Sequence, residues 1–277
     1  MMKIIVTGSK GNIGKYVVDY CESQGAQVLG VDNVGRGGGD YLSANLTDFG
    51  ETVDALHGLE HADAVIHLAA IADSRMFSTA RVFTTNMSST WNVFEACRIL
   101  GIKRVVSAST IQVMATVARR NPTRFGYFPV DEQVPPDPQN DYSLSKYLGE
   151  HMADMFAKHY GLTIASLRFM AVMTPESMAE LPMKVETEFP LALGAYCDIR
   201  DTARACYLAA TAPLPANTHE VFFITAKDSF FNVPAVELAK MADPTAKIRG
   251  LQGYDSLISG EKAKRMLGFE AEYGFRE

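Results

Sequence analysis

Apolar side chains fall in short, nearly unbroken runs at residues 4–6, 28–31, 64–68, 105–106 and 163–167. Between them lie longer stretches, 13–23, 48–58, 78–100 and 142–160, whose apolar positions recur at helical spacing. Runs apolar on both faces, separated by helix-length segments, predict parallel strands covered on both sides, a doubly wound α/β arrangement. Gly25, Gly58, Gly101 and Gly161 follow the helical stretches where a helix-ending glycine belongs. Residues 119–140, rich in proline, aromatic and charged groups, read as a long loop beside whatever site the sheet presents. Residues 170–200 and 213–277 lose the alternation, keeping only a strand-like run at 221–225 and a final helix near 260–267. They predict a smaller C-terminal lobe.

The first strand runs into Thr7, Gly8, Ser9, Lys10, Gly11, Asn12, Ile13 and Gly14, and an amphipathic helix follows. Gly8 permits a tight strand-to-helix turn, Gly11 lets backbone approach a pyrophosphate, and Gly14 lets helix and strand pack closely. The helix start at Asn12 and Ile13 points N–H groups and the positive dipole end at that anion. The second strand ends at Asp32, about 20 residues on, where a carboxylate accepts from ribose hydroxyls. That carboxylate repels a 2′-phosphate, so NAD is expected over NADP, with Arg36 the group that would favour the phosphate. The predicted fold is a Rossmann-type doubly wound parallel sheet. Residues 1–169, joined by part of 200–225, form the dinucleotide-binding domain, and 170–277 form mainly the substrate lobe.

Composition narrows the class. With 277 residues, 47% of them apolar, and a net charge of −6, the chain has the make-up of a folded globular protein without the clustered cations that nucleic acid or anionic membranes require. No apolar run reaches the roughly 18 residues of a membrane span, and a cytoplasmic location is expected. Cys21, Cys97, Cys197 and Cys206 lack metal spacing and read as reduced thiols. No metal is expected.

Candidate chemistry enters at Tyr142 and Lys146, four residues apart on one helical face. A nearby ammonium favours a phenolate, so the lysine is expected to lower the tyrosine pKa and make it an acid/base. With the glycine turn, Asp32 and Asn33, His67 to Ala70 (HLAA), Asn86, the Ser/Thr stretch at 107–110, this YxxxK pair and the Asp198 to Asp201 run (DIRD), the chain resembles the extended short-chain dehydrogenase/reductases, the NAD-dependent epimerase/dehydratase family. The resemblance implies that Thr110, with Ser109 as second choice, holds the reacting oxygen, that Tyr142 moves the proton, and that Lys146 also holds the nicotinamide ribose. It further implies Asn45 and Leu46 at the adenine, Leu68, Ala69 and Ala70 along the middle of the cofactor, and Asn86 behind the active site.

Departures from the family pattern indicate the reaction. Dehydratases of the family place an acid and a base where this chain has Ile111 and Gln112, so elimination of water lacks its proton-transfer groups. Nucleotide-sugar enzymes of the family have asparagine at Ala171 and a longer segment than 175–200. The chain shares Thr174, Pro175 and Glu176 with the family's uronate and hexose dehydrogenases, which carry Asn-His at 111–112. The expected activity is NAD-dependent oxidation of a hydroxyl on a small sugar-like molecule, or epimerisation through a transient ketone, with Ser74, Arg75, Gln112 and Arg168 as candidate substrate contacts, Arg168 being equally suited, at the end of a strand, to a structural ion pair. The alternatives are a nucleotide-sugar 4-epimerase and a non-catalytic NAD(P) sensor. Trp91, Phe94, Met152, Met155 and Phe156 share helical faces suited to the core or to a homodimer contact.

Overall fold

The computed structural model describes residues 1–72, 77–116, 121, 123–183 and 191–276. Seven parallel strands form the central sheet: β1 (Lys3–Thr7), β2 (Gln27–Asp32), β3 (Tyr41–Ser43), β4 (Ala64–His67), β5 (Arg104–Thr110), β7 (Thr163–Phe169) and β10 (His219–Ile224). Their order is β10-β7-β5-β4-β1-β2-β3, so the direction of winding reverses between β1 and β4. Ligands of open α/β sheets bind at the carboxyl ends of the strands beside such a reversal. Strand β3 has no counterpart in the apolar pattern: it has three residues, none of them buried. β10 starts two residues before the expected run and joins the main sheet beside β7.

Alternation within each strand divides the apolar residues between two faces. Ile4, Val6, Val28, Ala64 and Ile66 bury against helices α1 (Asn12–Ser23), α6 (Ile199–Thr211) and α8 (Glu261–Leu267). Ile5, Leu29, Val31, Val65 and Val105 bury on the other side against α2 (Phe49–His57), α3 (Thr79–Leu100) and α4 (Asp141–Tyr160). Asp48, Ser78 and Asn140 cap α2, α3 and α4 through side-chain oxygens, replacing water at the free N–H groups. Gly101 and Gly161 end α3 and α4 in left-handed backbone. Gly58 stays right-handed, and a Cβ there would lie 2.5 Å from the Leu42 side chain, so its small size serves packing instead.

A third core cluster builds the lobe from Met114, Phe128, Tyr196, Phe230 and Leu257. Residues 111–134 contribute to this cluster, while Ala263, Leu267, Phe269 and Ala271 belong to the first. The chain therefore crosses between the cores more than once. Within the expected loop at 119–140, β6 (Tyr127–Phe128) pairs with β11 (Lys247–Ile248), and Asp243 accepts from the Phe125 N–H at 3.0 Å. Buried Asp198 caps α6 and grips Arg200, and buried Asp201 accepts the N–H groups of Glu272 and Tyr273. All four cysteines are free and buried, and no described helix is long and apolar enough to cross a membrane.

Candidate active site

The turn after β1 is shaped by what its glycines exclude. Gly8 has φ +73°, and a Cβ on it would lie 2.7 Å from the Ala69 backbone nitrogen. A Cβ on Gly14 would lie 2.0 Å from the Gly8 carbonyl oxygen, so α1 approaches β1 as only glycine allows. At the end of β2, the Asp32 carboxylate accepts from the backbone N–H groups of Lys10 (2.9 Å) and Asn33 (2.7 Å). These bonds aim it into an outer cavity of about 320 Å³ that Asn33, Asn45, Leu46, Ala69 and Ala70 also line. Asn45 spends its side-chain oxygen on Thr47, leaving its amide nitrogen for a ligand. A glycine turn that a Cβ would fill, a helix N-terminus and a half-buried carboxylate fit the pyrophosphate and ribose of a dinucleotide.

The outer cavity shares Gly8, Gly11, Leu68 and Ala70 with an inner one of about 590 Å³. Asn12, Ile13, Gly14, Thr110, Gln112, Tyr142 and Lys146 all line the inner cavity. β5 carries Thr110 to its edge, and the Asn140 cap starts α4 two residues before Tyr142. Two side chains from distant segments thus meet across the cavity. Burial dominates their electrostatics: the Tyr142 phenol is pushed up to about 12, opposed by its hydrogen bond with Thr110. This corrects the expectation of a lowered tyrosine. The Lys146 ammonium lies 6.0 Å from the ring centroid and donates to the Ala108 carbonyl at 2.9 Å, and burial lowers its own pKa to about 8.

Other expected site residues are placed differently. Ser109 also borders the inner cavity, but its hydroxyl donates to Glu150 Oε1 at 2.6 Å, so Ser109 and Thr110 part company as strand neighbours must. Arg168 does not line the cavity. It is 3% exposed, and its fork donates to both Glu150 oxygens at 2.9 and 2.7 Å, a structural pair rather than a substrate contact. Asn86 lines neither cavity. Its amide brackets the Ile71 backbone at 2.8 and 3.1 Å and donates to Ser145, holding the loop after β4 against α4. Ser74 and Arg75 lie outside the described residues.

Some of the site escaped the sequence reading. Met170, Val172, Thr174 and Ile199 wall the inner cavity; Thr174 and Ile199 fall in the runs at 174–176 and 198–201, whereas the methionine-rich run at 170–183 was the only signal for Met170 and Val172. Below the site, His67 hydrogen-bonds Thr7 at 2.8 Å and Thr90 at 3.3 Å, tying β4 to β1 and α3. Burial lowers its pKa to about 3, so it is neutral there.

Residues 4–190 match the model of the NAD-dependent epimerase/dehydratase family. The chain is 28% identical over 233 residues to the L-arabinose 1-dehydrogenase (NAD(P)(+)) of Haloferax volcanii, covering 82% of this chain and 90% of the relative. It is 28% identical over 169 residues to the uronate dehydrogenase of Pseudomonas syringae pv. tomato, covering 60% of this chain and 58% of that one. Among solved structures it resembles a short-chain dehydrogenase/reductase superfamily protein from Agrobacterium tumefaciens with bound NAD (TM-score 0.74, 25% identity, 99% and 94% of the two chains). It has the same fold as the UDP-glucose 4-epimerase of Thermotoga maritima (TM-score 0.73, 24% identity, 100% and 96%). The chain belongs to the NAD-dependent epimerase/dehydratase family and is an NAD-dependent enzyme of that family.

Proposed function

We propose that this enzyme oxidises a hydroxyl of a small sugar-like molecule with NAD, using Tyr142 as the proton-transfer group and Thr110 to hold the reacting oxygen. The observation that carries this reading is the inner cavity, where Thr110 and Tyr142 share one space with the glycine turn. NAD, when bound, would supply the hydride acceptor and, in its oxidised form, a positive charge. Tyr142, raised to about 12 by burial, is an acid in the protein alone and becomes a base once positive charge enters next to it. Lys146, fixed on the Ala108 carbonyl, is the donor for the ribose hydroxyls. The Asp32 carboxylate favours NAD over NADP. The small substrate is supported by Ala171 and the short 175–200 segment.

Tyr142→Phe tests the assignment. Turnover should fall at least about a hundredfold while NAD binding, followed by thermal shift, persists; undiminished turnover would overturn it. Equal kcat/KM with NAD and NADP would overturn the cofactor preference. Similarity to UDP-glucose 4-epimerases supports epimerisation through a transient ketone as the second reading, revealed by tight UDP binding and product without NADH accumulation. NAD binding without turnover of any sugar would mark a sensor.

We infer a cytoplasmic homodimer as well. Four buried thiols suit a reducing compartment. Trp91 and Tyr160 are 43% and 45% exposed on α3 and α4, a face suited to a second copy.

A further inference from the structure

Thr110 ends β5, and the chain then turns through a short 3-10 helix, Ile111–Met114. The Gln112 N–H donates to Thr110 Oγ1 at 3.2 Å, fixing Gln112 beside the hydroxyl that meets Tyr142. Gln112 is half-buried on the inner cavity, and among the described residues its amide group has no side-chain hydrogen bond. The cations nearby are committed. Lys146 is held by the Ala108 carbonyl, and Arg168 is held by Glu150 off the cavity. Lys15 lines the cavity from the first turn of α1, on the glycine-turn side.

A primary amide offers one acceptor and two donors and no charge. A hydroxyl both donates and accepts, so it can use either end of the amide. A carboxylate only accepts; it leaves the amide oxygen unmatched, and with Lys146 and Arg168 already held by the Ala108 carbonyl and by Glu150 its desolvation is poorly compensated beside Gln112. Resting on the proposed function, we propose that Gln112 is a specificity-determining residue that reads a hydroxyl of a neutral sugar and discriminates against the carboxylate of a sugar acid.

The test measures kcat/KM with NAD for D-galactose, D-glucose, their uronates and their monodeoxy analogues, in the wild type and in Gln112→Leu and Gln112→Glu. The neutral sugars should lead their uronates by at least about tenfold, the size of one lost hydrogen bond. Gln112→Leu should lower kcat/KM for the parent sugar by a similar factor, leave NAD binding unchanged, and have no effect on the one deoxy analogue that lacks the hydroxyl read. Gln112→Glu, which keeps an acceptor, should retain more activity on the neutral sugar than Gln112→Leu. A uronate preferred by the wild type, or an equal loss on every deoxy analogue, overturns the inference and leaves the proposed function standing. No NADH from any compound overturns the proposed function and the inference with it.

Discussion

Burial sets the chemistry of Lys146. Its pKa falls from 10.5 to about 8, so between those values the unfolded chain binds more protons than the folded one. Stability then rises with pH across that window, and below about 8 both states hold the proton and the slope vanishes. Tyr142 works in the opposite sense higher up, lowering stability as pH passes from 10 toward about 12. Lys146→Met should therefore be more stable than the wild type near pH 8, with an advantage that shrinks by pH 10 in thermal melts; a pH-independent difference would defeat this account. Arg168→Met should destabilise by about 3–5 kcal/mol in urea titrations, because it strands a buried Glu150 carboxylate. A loss under about 1 kcal/mol would show that water or another donor reaches Glu150. Spacing made Tyr142 and Lys146 legible as a pair, but not the sign of the phenol's shift, because desolvation depends on what closes over the ring. Arg168 was legible as an ion-pair residue and Ser109 as a polar residue at a strand end, but not their shared partner Glu150, which lies on another element.

Helices were the most legible elements, because each carries its own signals. Asp48, Ser78 and Asn140 precede apolar periodic stretches and cap them. Short edge pieces lack such signals: Tyr41–Ser43 is strand only because β2 offers its free edge, and Tyr127–Phe128 only because Lys247–Ile248 lies alongside. Both owe their structure to residues distant in sequence. The pair α3 and α4 leaves Trp91 edge-on to Phe156 at 5.2 Å yet open to solvent. On the proposed homodimer, Trp91→Glu should lower the sedimentation coefficient to that of a monomer at micromolar concentration. An unchanged sedimentation coefficient would remove this face as the interface.

At the scale of the molecule, the reversal of winding between β1 and β4 places one cavity on each side of the glycine turn. The alternation of strands and helices made that sheet legible. A C-terminal lobe was legible too, but not the make-up of its core, which gathers residues from 111–134 and 170–258 that carry no common period. A fragment of residues 1–169 should show no cooperative unfolding transition, in contrast to the full chain; a sharp transition would show that the sheet stands without β10. The edge strand β10 also sets an order of synthesis. A nascent chain presents the bare edge of β7, every residue of which is buried in the folded protein, until residue 224 has been added. An exposed edge of that kind recruits other strands. Production of this protein should therefore be most vulnerable to aggregation wherever translation pauses between β7 and β10.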